Sequence, residues 1–237
     1  MFIKPPRHPV FCALDTDDLR AATRLAQAMA EGGGGIKVGK QLFTAQGPDG
    51  VRRLSQGGQP PLFLDLKFHD IPSTVAAAVA ASLALAPFLV TVHVAGGPAM
   101  LRAAAEAAAK AGTSRPYVIG VTVLTSLDDA DLAAIGMLGP TADRAVALAR
   151  LAKACGLDGV VCSAHEITAI RAACGPDILL VVPGIRPAGT ASGDQKRVMT
   201  PAAALGLGAD YLVIGRPITA AADPVMALDG ICAEFAA

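Results

Sequence analysis

Three ionisable residues in one short run, Asp65, Lys67 and Asp70 of LDLKFHDIP, are the natural place to look for chemistry. An ammonium flanked by carboxylates is held charged and in place. Such a cation can stabilise an electron pair that develops beside it and then donate a proton to the atom carrying that pair. The neighbouring residues say how the group is held. Leu64, Leu66 and Phe68 alternate with Asp65 and Lys67, so an extended chain puts the charges on one face and the apolar side chains on the other. The apolar face suits a layer of helices. The charged face then points inward, where each charge needs a partner. Asp15 and Lys37 sit in or at the end of apolar runs of their own and can complete an alternating network. Asp70 lies just beyond, in the loop HDIPST, where it can reach over the mouth of a barrel. One inward Asp–Lys pair could serve only to fix strand register. Four or five ionisable groups at the same end of several strands point to function.

A second group of residues suits an anion. The long loop GIRPAGTASGDQKRV follows one apolar run and GRPITAAADP follows the last. Arg186 and Arg216 supply charge and fork geometry, and Gly215 lets backbone approach closely. Loops after the last two strands of an α/β barrel often bind phosphate through backbone N–H groups. Thr125 and Ser126 follow the fifth apolar run. His93 reads as a structural histidine, since His8, His69 and His165 are scattered and no metal-ligand spacing occurs.

The elements that must position these residues follow from periodicity. Apolar runs predict strands over 10–15, 36–39, 62–68, 88–94, 117–124, 159–163, 178–184 and 211–216. Helical patterns fall over 18–30, 73–85, 98–112, 140–156, 164–174 and 200–208. The first has Asp17 or Asp18 as N-cap, and the glycines at 32–35 end it. Eight apolar strands, mostly separated by helices, imply a parallel sheet covered by helices, and at 237 residues they favour a closed (β/α)8 TIM barrel of class α/β. An open dinucleotide-binding sheet would want a glycine-rich turn after the first strand, and ALDTDDLR has no glycine. No low-complexity linker divides the chain, so residues 1–237 are expected to form a single catalytic domain.

Bulk composition removes other classes. Hydrophobic residues make up 53% and charged residues 17%, which excludes whole-chain disorder. Lys plus Arg equals Asp plus Glu at 20 each, against the basic excess that nucleic acid or a membrane surface requires. No apolar run is long enough for a transmembrane helix, and MFIKPPRHPV lacks the apolar stretch of a signal peptide. Five widely spaced cysteines without a Cys-x-x-Cys read as reduced thiols packed as core filler in a cytoplasmic protein.

These residues carry a resemblance. LDLKFHDIPSTV resembles the signature of orotidine 5′-phosphate decarboxylases of the bacterial type. So do ALD at 13–15, IKVGKQLFTAQGP at 36–48, VHVAGG at 92–97, GVTVLTSL at 120–127, VVPGIRPAG at 181–189, DQKRVMTP at 194–201 and VIGRPI at 213–218, in the expected order over nearly the whole chain. Ser73 stands where asparagine is more usual, outside the charged network. The resemblance implies a homodimeric (β/α)8 barrel that converts orotidine 5′-phosphate to uridine 5′-phosphate and carbon dioxide, the last step of de novo pyrimidine synthesis, without metal or organic cofactor. By position it makes Lys67 the proton donor to C6 and sets Asp65 beside the departing carboxylate, with Lys37 and Asp70 completing the network. Asp70, Ile71 and Thr74 would reach into the partner's site. Asp15 and Lys37 would hold the ribose hydroxyls, and Thr125 and the backbone around Pro183 would line the pyrimidine pocket. Arg186, Gln195, Gly215 and Arg216 would hold the phosphate.

Two other functions compete. Keto-gulonate phosphate decarboxylases and hexulose phosphate synthases resemble this chain through the same Asp-x-Lys-x-x-Asp but use magnesium; PGIRPAG with DQKRV disfavours them. A non-catalytic nucleotide-binding barrel would be expected to have lost the lysine or an aspartate, and Asp65, Lys67 and Asp70 are all present.

Overall fold

The computed structural model describes residues 4–56, 59–187 and 199–235. Eight parallel strands close into a barrel in chain order: β1 (Val10–Ala13), β2 (Gly35–Val38), β3 (Leu62–Phe68), β4 (Leu89–His93), β5 (Tyr117–Val121), β6 (Gly159–Val161), β7 (Leu179–Val182) and β8 (Tyr211–Ile214). β8 pairs back onto β1, so the closed barrel expected from the sequence is the observed fold. The connections carry α1 (Leu19–Gly32), α2 (Lys40–Leu54), α3 (Pro72–Ser82), α4 (Gly97–Ala109), α5 (Asp129–Ala134), α6 (Thr141–Ala154), α7 (Ile167–Cys174) and α8 (Pro201–Gly206). After β8 come α9 (Arg216–Thr219) and α10 (Pro224–Ala233).

Strand alternation builds two cores. Val10, Cys12, Leu62 and Leu64 face outward into the layer between strands and helices, and the partly buried Leu66 and Phe68 pack against the same layer. Phe11, Ala13, Phe63, Leu89, Ile119, Val181 and Val213 fill the barrel interior. At the N-terminal end, Phe11, Phe88 and both tyrosines, Tyr117 and Tyr211, meet edge-on or stacked with centroids 5.4 to 6.2 Å apart. This aromatic plug closes one end, so polar chemistry is confined to the other.

Local signals account for most boundaries. Asp18, not Asp17, caps α1 by accepting the Arg20 N–H at 2.8 Å. Within the glycine run, Gly33 takes the left-handed C-cap conformation (φ 79°), whereas Gly35 already belongs to β2. A Cβ at Gly35 would stand 2.4 Å from the Phe11 ring, so the interior packing itself demands glycine there. All five cysteines are buried and free, as expected of core filler. Burial pushes the Cys12 thiol up to about 12.

Several boundaries differ from expectation. Most strands stop two or three residues earlier than the apolar runs do, because the chain leaves the ladder to form the barrel mouth; Asp15 and Gly215 therefore lie just past β1 and β8. Helix α2 was not expected, and its sequence explains why: Gly47 (φ 62°) and Pro48 break it into two segments. The short α5 and α9, and α10, were also unanticipated. For α10 the signal was present, since Asp223 caps the Val225 and Met226 N–H groups and Pro224 follows.

Candidate active site

The charged residues expected to meet do meet. Lys37 lies in β2 between Ala13 of β1 and Phe63 of β3. Its Nζ is 3.4 Å from Asp15 Oδ1 and 3.7 Å from Asp65 Oδ2. Lys67 Nζ is 2.7 Å from the same Asp65 oxygen. The network therefore runs Asp15–Lys37–Asp65–Lys67, carboxylate alternating with ammonium. Lys37 and Asp65 are buried, at 9% and 8% exposure. Charges that deep are tolerated because each has an opposite partner in contact.

Strand β3 is not regular where it carries this chemistry. Leu64 pairs with Val90 and Phe68 pairs with Val92, so β3 spends four residues where β4 spends two. In that bulge Lys67 adopts φ 54°, the left-handed region. For a residue with a Cβ this costs about 1–2 kcal/mol, and such strain gathers at functional sites. The Lys67 N–H donates to Thr91 Oγ1 at 2.9 Å, and the Thr91 hydroxyl donates to Asp65 Oδ1 at 3.1 Å.

Above the interior core opens a cavity of ≈ 300 Å³. Its floor is apolar, from Ala13, Phe63, Val121, Val161 and Val213. Asp15, Lys37, Asp65 and Lys67 line it at the ends of β1 to β3, Thr125 and Pro183 line it after β5 and β7, and Arg186, Gly215 and Arg216 line it after β7 and β8, the last of which neighbours β1. Two carboxylates thus face four cations, an excess suited to a phosphorylated ligand. The Arg186 N–H donates to the Met199 carbonyl at 3.0 Å, which ties together the two described ends of the loop after β7. Gln195 lies outside the described residues. At Gly215 a Cβ would meet only Ala13 among the described residues, at 3.7 Å, so their packing does not require glycine there.

Asp70, Ile71 and Thr74 are not brought into this cavity. They stand on an exposed shoulder beyond β3 and at the start of α3, with Ile71 64% exposed. Asp70 Oδ1 accepts the Ile71 N–H at 2.6 Å.

Comparison with known proteins decides the family. The model of the orotidine 5′-phosphate decarboxylase / HUMPS family matches residues 8–231. The chain belongs to that family. It is 53% identical over 227 residues to a protein of Sodalis glossinidius (strain morsitans) named orotidine 5′-phosphate decarboxylase, covering 96% of this chain and 90% of that protein. A protein of the same name from Paramagnetospirillum magneticum (strain ATCC 700264 / AMB-1) is 51% identical over 232 residues, 96% of this chain and 98% of its own length. Among solved structures, orotidine 5′-phosphate decarboxylase from Lactobacillus acidophilus superposes with a TM-score of 0.86 at 38% identity, covering 97% of this chain and 99% of that one.

Beside the family's charged run the structure adds residues that sequence reasoning passed over. Thr91 is fully buried among Leu89, Val90 and Val92, and a lone hydroxyl in an apolar strand carries no spacing signal. Gly39 precedes α2, and a Cβ there would stand 3.1 Å from Lys37 Nζ, closer than an ordinary contact. His93 is not solitary either, since His69 stacks on it with ring centroids 5.3 Å apart. Among the described residues no group of three or more His, Cys, Asp or Glu is placed to hold a metal ion.

His93 is half-buried, and its Nδ1 is buried with no hydrogen-bond partner among the described residues. Burial first, then His69, Lys67 and Lys40, lower its pKa from the ordinary 6.5. The unfolded chain therefore binds this proton more tightly than the folded one. The stability contribution is complete above pH 6.5 and is lost as pH falls below it. Between pH 7.5 and 5.5, urea unfolding should show the unsubstituted protein losing more stability than His93→Gln. The difference should reach up to about 1 kcal/mol, solvent screening keeping it below the full linkage value. Equal losses in the two proteins would show that His93 titrates alike in the folded and unfolded states.

Proposed function

We propose that the chain decarboxylates orotidine 5′-phosphate to uridine 5′-phosphate, with Lys67 as the proton donor to C6. The observation that carries this reading is the Lys67 ammonium, 2.7 Å from the buried Asp65 in a cavity that two arginines also line. When the bond from C6 to the carboxylate breaks, its electron pair stays on C6 and carbon dioxide leaves. The pyrimidine delocalises that pair poorly. A fixed ammonium alongside stabilises it and then transfers a proton to C6, leaving a neutral amine that recovers its proton from solvent. Asp65, which also pairs with Lys37, holds the lysine in place and aims it.

The remaining roles follow from position. Asp15 and Lys37, in contact with each other, take the ribose hydroxyls. Thr125 and the backbone at Pro183 border the pyrimidine, and Arg186, Gln195, Gly215 and Arg216 hold the phosphate. Phosphate binding far from C6 can supply binding energy that organises the site. Asp70, Ile71 and Thr74 complete the site of a second copy in a homodimer; their exposure on a shoulder outside their own chain's cavity supports this. Residues 1–237 act as a single catalytic domain. No described helix is long and apolar enough to cross a membrane, and free buried thiols suit the cytoplasm.

The test is an absorbance assay of purified protein with orotidine 5′-phosphate, before and after exhaustive EDTA treatment and dialysis. Turnover should be equal in both. Activity that returns only with magnesium, or is found only on sugar phosphates, would assign the chain to the metal-dependent relatives.

A further inference from the structure

We propose that Thr91 is a positioning residue for the decarboxylation, its single hydroxyl fixing Asp65 and the backbone of Lys67 to each other. The inference rests on Lys67 being the proton donor. A backbone N–H can only donate, so at 2.9 Å from Lys67 N the Thr91 oxygen accepts. The one hydroxyl proton is then free for Asp65 Oδ1, 3.1 Å away. With Oδ1 engaged, the carboxylate turns Oδ2 toward both lysines, at 2.7 Å for Lys67 and 3.7 Å for Lys37. The same hydroxyl satisfies the N–H that the bulge turns out of the strand ladder, at the residue whose φ is 54°.

Thr91 therefore controls both ends of the Lys67–Asp65 contact: the backbone from which the lysine springs and the carboxylate that aims it. It does so from outside the cavity. Thr91 is wholly buried and is not among the residues that line the cavity, so it touches no substrate. Its neighbours along β4 are apolar, and valine would fill the same space; packing alone gives no reason for a hydroxyl here. Small errors in placing a reacting group are costly in rate, which is how a residue without substrate contact can govern turnover.

The experiment compares Thr91→Val, Thr91→Ser and Lys67→Ala with the unsubstituted protein, measuring kcat, affinity for uridine 5′-phosphate and thermal unfolding. Thr91→Val should lose about 100-fold in kcat, as a misplaced reacting group does, with product affinity kept within about 3-fold. Thr91→Ser keeps the hydroxyl and should recover to within about 5-fold of the original kcat. A Thr91→Val protein with kcat within about 3-fold of the original would overturn the proposal. So would a Thr91→Ser protein as impaired as Thr91→Val, or parallel losses of turnover and product affinity, since these mark a structural role. If Thr91→Val does not fold, Thr91→Cys takes its place with the same expected split, and failure of both to fold would make Thr91 a folding determinant only. Lys67→Ala separates the two readings: if it turns over normally, the proton-donor assignment has failed, whatever Thr91 does.

Discussion

Replacing Lys67 by alanine is expected to abolish turnover in a protein that still folds and still binds uridine 5′-phosphate. Among the described residues, the variant deletes the only cation at hydrogen-bond distance from Asp65, 2.7 Å away. Loss of the proton donor alone removes about 10²–10⁴ in rate, and loss of charge stabilisation at the developing carbanion adds to it. A fall of at least about 10³ in kcat is therefore expected. Folding should survive because Asp65 is not left alone. Its Oδ1 still accepts from Thr91, and Lys37 still stands 3.7 Å from Oδ2. The lysine is also the more solvent-exposed partner, at 26% against 10% for Asp65, so its removal opens no closed cavity in the core. Product affinity should hold because the arginines of the site are untouched. Single-turnover rates and calorimetric binding of the product would measure both halves of the expectation. A variant keeping half of the original turnover would exclude Lys67 as proton donor.

What was legible in the sequence was whatever period two could carry. Leu64, Leu66 and Phe68 face the helices and Asp65 and Lys67 face the barrel, as alternation requires. The same rule treated β3 as regular and so could not foresee the bulge, which depends on where β4 pairs rather than on residues 62–68 themselves. The left-handed Lys67 was invisible for the same reason. Thr91 escaped because its two partners lie 24 and 26 residues away, and one threonine in FLVTVHV looks like an ordinary β-branched strand residue. His69 and His93, 24 positions apart in the sequence, were read as unrelated although adjacent strand ends bring their rings together. Strand ends were overextended because apolar character continues into the mouth. There Leu14 and Ile185 are buried without belonging to a named strand.

The position of Asp70 leads to the other large effect. Lys67 springs from β3 and lines its own chain's cavity, whereas Asp70, Ile71 and Thr74 lie on the exposed shoulder beyond it. An isoleucine 64% exposed beside that aspartate is the kind of apolar surface that a second copy would cover. In a twofold dimer joined mouth to mouth, each site would take Lys67 from one chain and Asp70 from the other. Lys67→Ala and Asp70→Ala homodimers should then each be nearly inactive. When the two are mixed and allowed to exchange, every heterodimer has one site carrying both lesions and one carrying neither. Random exchange makes about half of all dimers hybrid, so about a quarter of all sites become native and activity should recover to about a quarter of the original. The recovery cannot come from either parent, because each alone is inactive. Heterodimers verified by two different affinity tags that remain inactive would place Asp70 within its own chain's site, and the shared-site arrangement would be wrong.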